Sequence, residues 1–308
     1  MGISASNQTN KKPFSNFLER LQKNNFGTYI IVLAPATIFF LFIFLIPILA
    51  LLYISFNPSL KGAIVFQDIF TLENYVRFFS RPIYTNSLLN SIKLGVITSL
   101  VSLVMSYPLA YLIAKTKHPT WNNILMILIL VPLQIDQMVR AYGLMTILGD
   151  NGVINATLLE QGVISKSLPL MYNFMGVVIG LTQITIPFMV LSLIGIIRRI
   201  DPFFEEAAQN LGANRFKTFI HIILPLSMPG IFAGTLLVFA ISISNFVIPV
   251  MLGGSNYFVI SMWIYKIINE TNNWQFAATV SSILLIISVI VVYLYNRVLD
   301  RYYGGIMK

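Results

Sequence analysis

From Tyr29 to Phe56 the chain carries no charged side chain. A helix needs about 20 apolar residues to cross a bilayer, so this run is long enough to span one. Comparable runs follow at about Ser87–Ala114, Trp121–Leu148, Leu168–Ile197, Leu226–Leu252 and Trp274–Tyr295. The expectation is an all-α membrane protein with six transmembrane helices. A cleavable signal has a shorter apolar core and a small-residue cleavage site, so the first run is expected to stay as a span. Pro35 and Pro47 inside it predict a bend.

Composition agrees. The chain of 308 residues is 56% hydrophobic and 10% charged, against about 25% charged in a soluble domain. The net charge of +9 comes from basic residues scattered between the runs. They read as topology determinants and not as a patch for nucleic acid. The absence of cysteine excludes disulfides and thiolate chemistry. His118 and His221 are too few and too far apart for a metal cluster and read as loop residues, so no metal site is expected. The start Met1-Gly2-Ile3-Ser4-Ala5-Ser6 fits a myristoylation signal by chance, since an acyl anchor adds nothing to such spans.

Between the runs, residues 57–85 mix aromatics with charges and suggest an interfacial helix. Lys115, Lys117 and His118 form a short basic loop. The third run carries Gln134, Asp136, Gln137 and Arg140 and has a candidate break near Pro132. Residues 149–167 read as a polar turn and external loop, and 253–273 as a loop with an amphipathic helix over Tyr257–Ile268. Six spans put both termini on one side. With Lys93 and Arg140 set aside as embedded, the side of the termini holds 13 Lys and Arg. The other side holds five: Lys61, Arg77, Arg81, Lys166 and Lys266. The positive-inside rule then places both termini in the cytoplasm.

One charged island sits between apolar runs, Asp201 to Pro225. Asp201-Pro202 reads as an N-cap followed by proline at the first helical position. Glu205 and Glu206 sit at the positive end of that helix, Ala207 and Ala208 favour it, and Gly212 is placed to close it. A second helix starts at Asn214, with Phe216, Phe219, Ile220 and Ile223 on one face and Pro225 as its stop.

Glu206-Ala207-Ala208, Gly212, Ile222 and Leu224-Pro225, at these spacings, resemble the EAA loop of ABC importer permeases. The resemblance implies the type I permease fold, with a cytoplasmic coupling-helix loop at 198–225 that docks into an ATPase. Its contact residues would be Glu205, Glu206, Ala207, Ala208, Gly212, Ala213, Leu224 and Pro225. The organisation implied is a cytoplasmic tail at 1–27, a permease domain at 28–297 and a second cytoplasmic tail at 298–308, in a bacterial inner membrane. No G-x-x-x-x-G-K-[ST] string is present. ATP and Mg are therefore expected on the partner ATPase, no cofactor is expected on this chain, and the chain is read as a transport subunit and not an enzyme.

Further strings are similar to the PotB/PotH-like permeases of spermidine/putrescine importers. They include Ser106-Tyr107-Pro108-Leu109-Ala110-Tyr111, Val139-Arg140-Ala141-Tyr142, Gly149-Asp150-Asn151-Gly152 and Asn245-Phe246-Val247-Ile248-Pro249. This resemblance implies a second homologous permease, a dimer of ABC ATPases, an external binding protein and polyamine as substrate. Relatives often carry acids at the positions of Asn245, Val250 and Asn273, which are uncharged here; thiamine, iron or sulfate are the alternative solutes. The candidate pathway residues are Asp136, Arg140, Tyr142, Asn245, Trp263, Tyr265, Glu270 and Trp274, the aromatics offering cation–π faces to alkylammonium groups. Trp263, Tyr265 and Trp274 also read as an interfacial belt. Asp136 and Arg140, at i and i+4, read either as pathway groups or as an ion pair fixing a broken helix. A membrane-embedded enzyme would need several catalytic polar groups at one depth, where the sequence places Asp136 alone. A channel would have no use for the island.

Overall fold

The computed structural model describes residues 25–59 and 69–304, and every regular element among them is helical. The tail cations Lys11, Lys12, Arg20 and Lys23, the myristoylation-like start, Lys61 and the last residues from 305 lie outside the described residues. Helix α1 (Asn25–Ser55) contains both Pro35 and Pro47. Up to Tyr53 it belongs to a unit of its own, and the chain from Ile54 forms the second.

In the second unit α2 (Glu73–Ser80) precedes α3 (Pro82–Lys115) and α4 (Pro119–Leu130). A 3₁₀ turn (Val131–Gln134) leads to α5 (Gln137–Leu148), α6 (Val153–Glu160) and α7 (Phe174–Ile197). The island follows as α8 (Pro202–Asn210) and α9 (Arg215–Thr218), then a π turn (Phe219–Ile223) and α10 (Leu224–Ser244). A second π turn (Pro249–Gly253), α11 (Ile260–Thr271) and α12 (Trp274–Gly304) complete the chain. Five helices are long and apolar enough to cross a membrane, and there are six spans if the bent pair Pro119–Gln134 and Gln137–Glu160 counts as one. This is a multi-pass membrane protein.

Helices α3, α7 and α10 form the centre of this unit. In hydrocarbon, apolar contact gives helices little reason to associate, so small residues and interhelical hydrogen bonds hold them. Ser102 Oγ and Thr185 Oγ1 lie 2.8 Å apart, Tyr107 OH and Ser227 Oγ 2.7 Å, and Ser99 donates to the Thr235 carbonyl at 3.3 Å. Gly95 lets α10 come close: a Cβ there would stand 2.8 Å from the Phe239 ring. Around this polar seam Tyr107, Met189, Leu193 and Ile197 pack toward the island. Leu94, Val177, Leu181 and Leu252 form a second apolar cluster, away from the island.

The third run breaks at the expected place. Pro132 lies in the 3₁₀ turn, Asp136 caps the restart, and the two halves meet at 103°. Several boundaries differ from expectation. Residues 153–160 form a helix instead of a loop. The fourth span begins at Phe174, because Asn173 accepts from the Gly176 amide at 2.9 Å, while Leu168 is held in the preceding loop by the Asn155 side chain at 2.8 Å. The fifth span ends at Ser244, where Asn245 turns extended and its Oδ1 accepts from Ile248 N at 3.0 Å.

Pro225 does not stop the island's second helix, which runs on from Arg215 to Ser244. In an α-helix the proline ring clashes with the carbonyl four residues back and leaves it unbonded. The π turn absorbs that conflict by shifting the pairing, with Leu224 N donating to Phe219 O. The extra residue also rotates the helix. The expected single apolar face therefore splits, with Ile223 fully buried and Phe216 exposed.

Candidate functional site

The island is closed at both ends of its first helix. The Asp201 carboxylate accepts from the Phe203 amide at 2.9 Å at the start of α8. At its end Gly212, at φ +85°, donates to the Gln209 carbonyl at 2.9 Å and Ala213 to that of Ala208 at 3.0 Å. This is the paired-bond cap that needs a left-handed residue. Asn214 then caps α9 by accepting from Lys217 N at 2.8 Å.

Glu205 is ion-paired to Lys115, the last residue of α3. That contact orients α8. Ala208 packs inward and is buried, so it is not part of an outward small-residue surface. The outward surface is made by Phe203, Phe204, Glu206 and Leu211, the last 89% exposed, with Phe216 beside them on α9. Phe203 and Phe204 are a signal that sequence reasoning missed. Two adjacent aromatics on a short helix point about 100° apart and do not both face one core. Leu224 and Pro225 open α10, the first half-buried and the second exposed.

The candidate pathway residues fall into separate places. The expected Asp136–Arg140 ion pair does not form, because the Asp136 carboxylate is taken up in capping α5, accepting from Met138 N at 2.8 Å. Arg140 buries Nε and Nη1 without an acceptor. Tyr142 is exposed on the same helix. Asn245 is a turn former, and its carbonyl accepts from Ser261 Oγ at 2.7 Å. Nearby, Tyr265 stacks on Phe246 with ring centres 5.3 Å apart. Trp274 opens α12.

Of these candidates, Trp263 and Glu270 line one cavity of about 290 Å³ between α2, α11 and the first turns of α3 and α12. It also holds Arg77, Tyr84, Lys266 and Asn273, which sequence reasoning left out of the site. Lys266 stands 3.8 Å from Glu270, and the Arg77 guanidinium lies 4.4 Å over the Phe276 ring. Two cations face one carboxylate, so the cavity repels a polycation. Asn273 has a structural task, accepting from Phe276 N at 2.9 Å to start α12. Among the described residues no three His, Asp or Glu side chains converge to hold a metal.

A family model described as binding-protein-dependent transport system inner membrane component matches residues 30–303. The spermidine/putrescine transport system permease protein PotB of Haemophilus influenzae is 33% identical over 264 residues, 85% of this chain and 91% of that protein. PotB of Escherichia coli is 37% identical over 257 residues, 83% of this chain and 92% of that protein. The crystal structure of a bacterial ABC transporter involved in the import of the acidic polysaccharide alginate is similar in fold. Its TM-score is 0.72 over 93% of this chain and 99% of that one, at 18% identity.

Proposed function

We propose a role that proceeds from one premise: the chain belongs to the family of binding-protein-dependent transport system inner membrane components and is an ABC importer permease subunit, with the type I permease fold. In our reading it forms half of a translocation pathway with a second, homologous permease. A dimer of ABC ATPases, carrying ATP and Mg, seats the island, and an external binding protein delivers the solute. The feature that supports the ATPase contact is the capped helix α8, pinned by Lys115 and turning aromatic side chains outward.

The substrate we assign is spermidine or putrescine. What carries this is the likeness to PotB permeases at 33% and 37% identity along more than four-fifths of both chains. Within the pathway, Asp136 supplies a carboxylate at the helix break, and the exposed rings of Tyr142 and Tyr265 offer alkylammonium groups about 0.5–2 kcal/mol each. Cells expressing the chain with its partner permease, ATPase and binding protein are expected to accumulate labelled spermidine or putrescine over thiamine, iron and sulfate. Accumulation of one of the other three, without polyamine, would overturn the substrate while leaving the permease role intact.

The basic residues favour an orientation with both termini and the island in the cytoplasm. Reporter fusions after Lys23, Gly162, Asn214 and Lys308 are expected to read inside, outside, inside and inside. An outside reading at Asn214 would remove the ATPase contact altogether.

A further inference from the structure

The cavity holding Arg77 and Lys266 is the wrong sign for a polyamine, and its surroundings say what it suits. Arg77 buries Nε with no hydrogen-bond acceptor, and among the described residues it forms no ion pair. Lys266 is shared weakly between Glu270 and the Trp263 ring, 5.7 Å away. Trp263 itself is fixed by donating Nε1–H to Ser87 Oγ at 2.9 Å. A guanidinium that offers unpaired donors beside a second cation is a fitted partner for a phosphate or carboxylate.

A second, independent observation selects the source of that anion. Val76 and Phe79, on one side of α2, and Leu72 and Ile83, just before and after it, all stand more than half exposed. The opposite side buries Asn74 and Phe78. Tyr84 and Phe276, in the first turns of α3 and α12, place the cavity where two spans begin. An outward apolar stripe at that depth meets acyl chains, while Arg77, between Val76 and Phe78 in sequence, turns its charge into the cavity. The geometry points to a binding site for an anionic phospholipid: its phosphate sits on Arg77 and Lys266, and its acyl chains lie along the α2 stripe. This inference rests on the multi-pass fold and is independent of the transported solute.

Native mass spectrometry of the full chain, purified in mild detergent, tests it with phosphatidylglycerol, phosphatidylcholine and inorganic phosphate as probes. One phosphatidylglycerol is expected to survive delipidation that strips phosphatidylcholine. Arg77→Gln weakens its retention roughly tenfold and Lys266→Gln by less, whereas Arg81→Gln, an exposed cation outside the cavity, leaves it unchanged. Should Arg77→Gln fail to fold, Lys266→Gln and the charge-preserving Arg77→Lys decide, both expected to retain less lipid than wild type. Equal retention of phosphatidylcholine, or wild-type retention in the cavity variants, overturns the proposal. So does full displacement by millimolar inorganic phosphate or by an acidic peptide, which would assign the cavity to a free anion or to a protein partner.

Discussion

Replacing Gly212 with valine is expected to abolish uptake while the chain still inserts and still co-purifies with its second permease. The space around Gly212 is open, so the substitution meets no neighbour. The penalty lies in the backbone, because φ of +85° is left-handed territory. There a Cβ costs roughly 1–2 kcal/mol, and a β-branched side chain more. Relief of that strain is expected to break the two cap bonds from Gly212 and Ala213 and to turn Leu211 out of the proposed ATPase contact. Gly212→Asn, which tolerates the left-handed region, is expected to keep most of its activity. Glu206→Ala tests the same surface by charge. Glu206 is exposed and forms no ion pair among the described residues, which leaves its carboxylate open to the ATPase contact proposed above. Truncating one member of such a desolvated pair costs about 2–5 kcal/mol. The readout is ATP hydrolysis no longer stimulated by loaded binding protein. Wild-type uptake by both Gly212→Val and Glu206→Ala would sink the coupling role.

The second large effect is expected at Lys115. Lys115→Glu sets two carboxylates against each other where the end of α3 meets α8, and uptake is expected to fall roughly tenfold. The double exchange Lys115→Glu with Glu205→Lys restores the pair with its sign reversed and is expected to recover most of the loss. Both side chains are largely but not fully screened from water, at 26% and 17% exposure. The pair therefore falls between a surface and a buried bridge, at about 1–2 kcal/mol. A double variant no better than the single one would show that Lys115 acts through some other contact.

How much of this was readable beforehand depends on how local the physics is. The caps at Asp201, Asn214 and Gly212 are local, since each joins residues within a few positions of one another, and the residue types announce them. Apolar runs likewise announce spans through their length. The π turn at Phe219–Ile223 is not announced in this way, because Pro225 alone reads as a stop and only the shifted Leu224–Phe219 bond explains how the helix continues. Nor does spacing tell that Ala208 faces inward, which follows from the pairing of Glu205 with a lysine 90 residues earlier. The cavity needs Arg77 to meet Trp263 and Phe276 across most of the chain. No local pattern predicts that encounter.

The uninterrupted helix from Arg215 to Ser244 has a mechanical meaning. Thirty residues at 1.5 Å each make a shaft of about 45 Å, enough to traverse the membrane. One end carries Asn214 and the island; the other ends at Asn245, which is tied to α11 through Ser261. A loop at Pro225 would let a push on the island dissipate. A stiff rod does not: tilting its inner end by a few degrees swings its outer end by several ångströms. Under the proposed coupling, the stroke of an ATPase would arrive at the opposite end of this shaft as leverage.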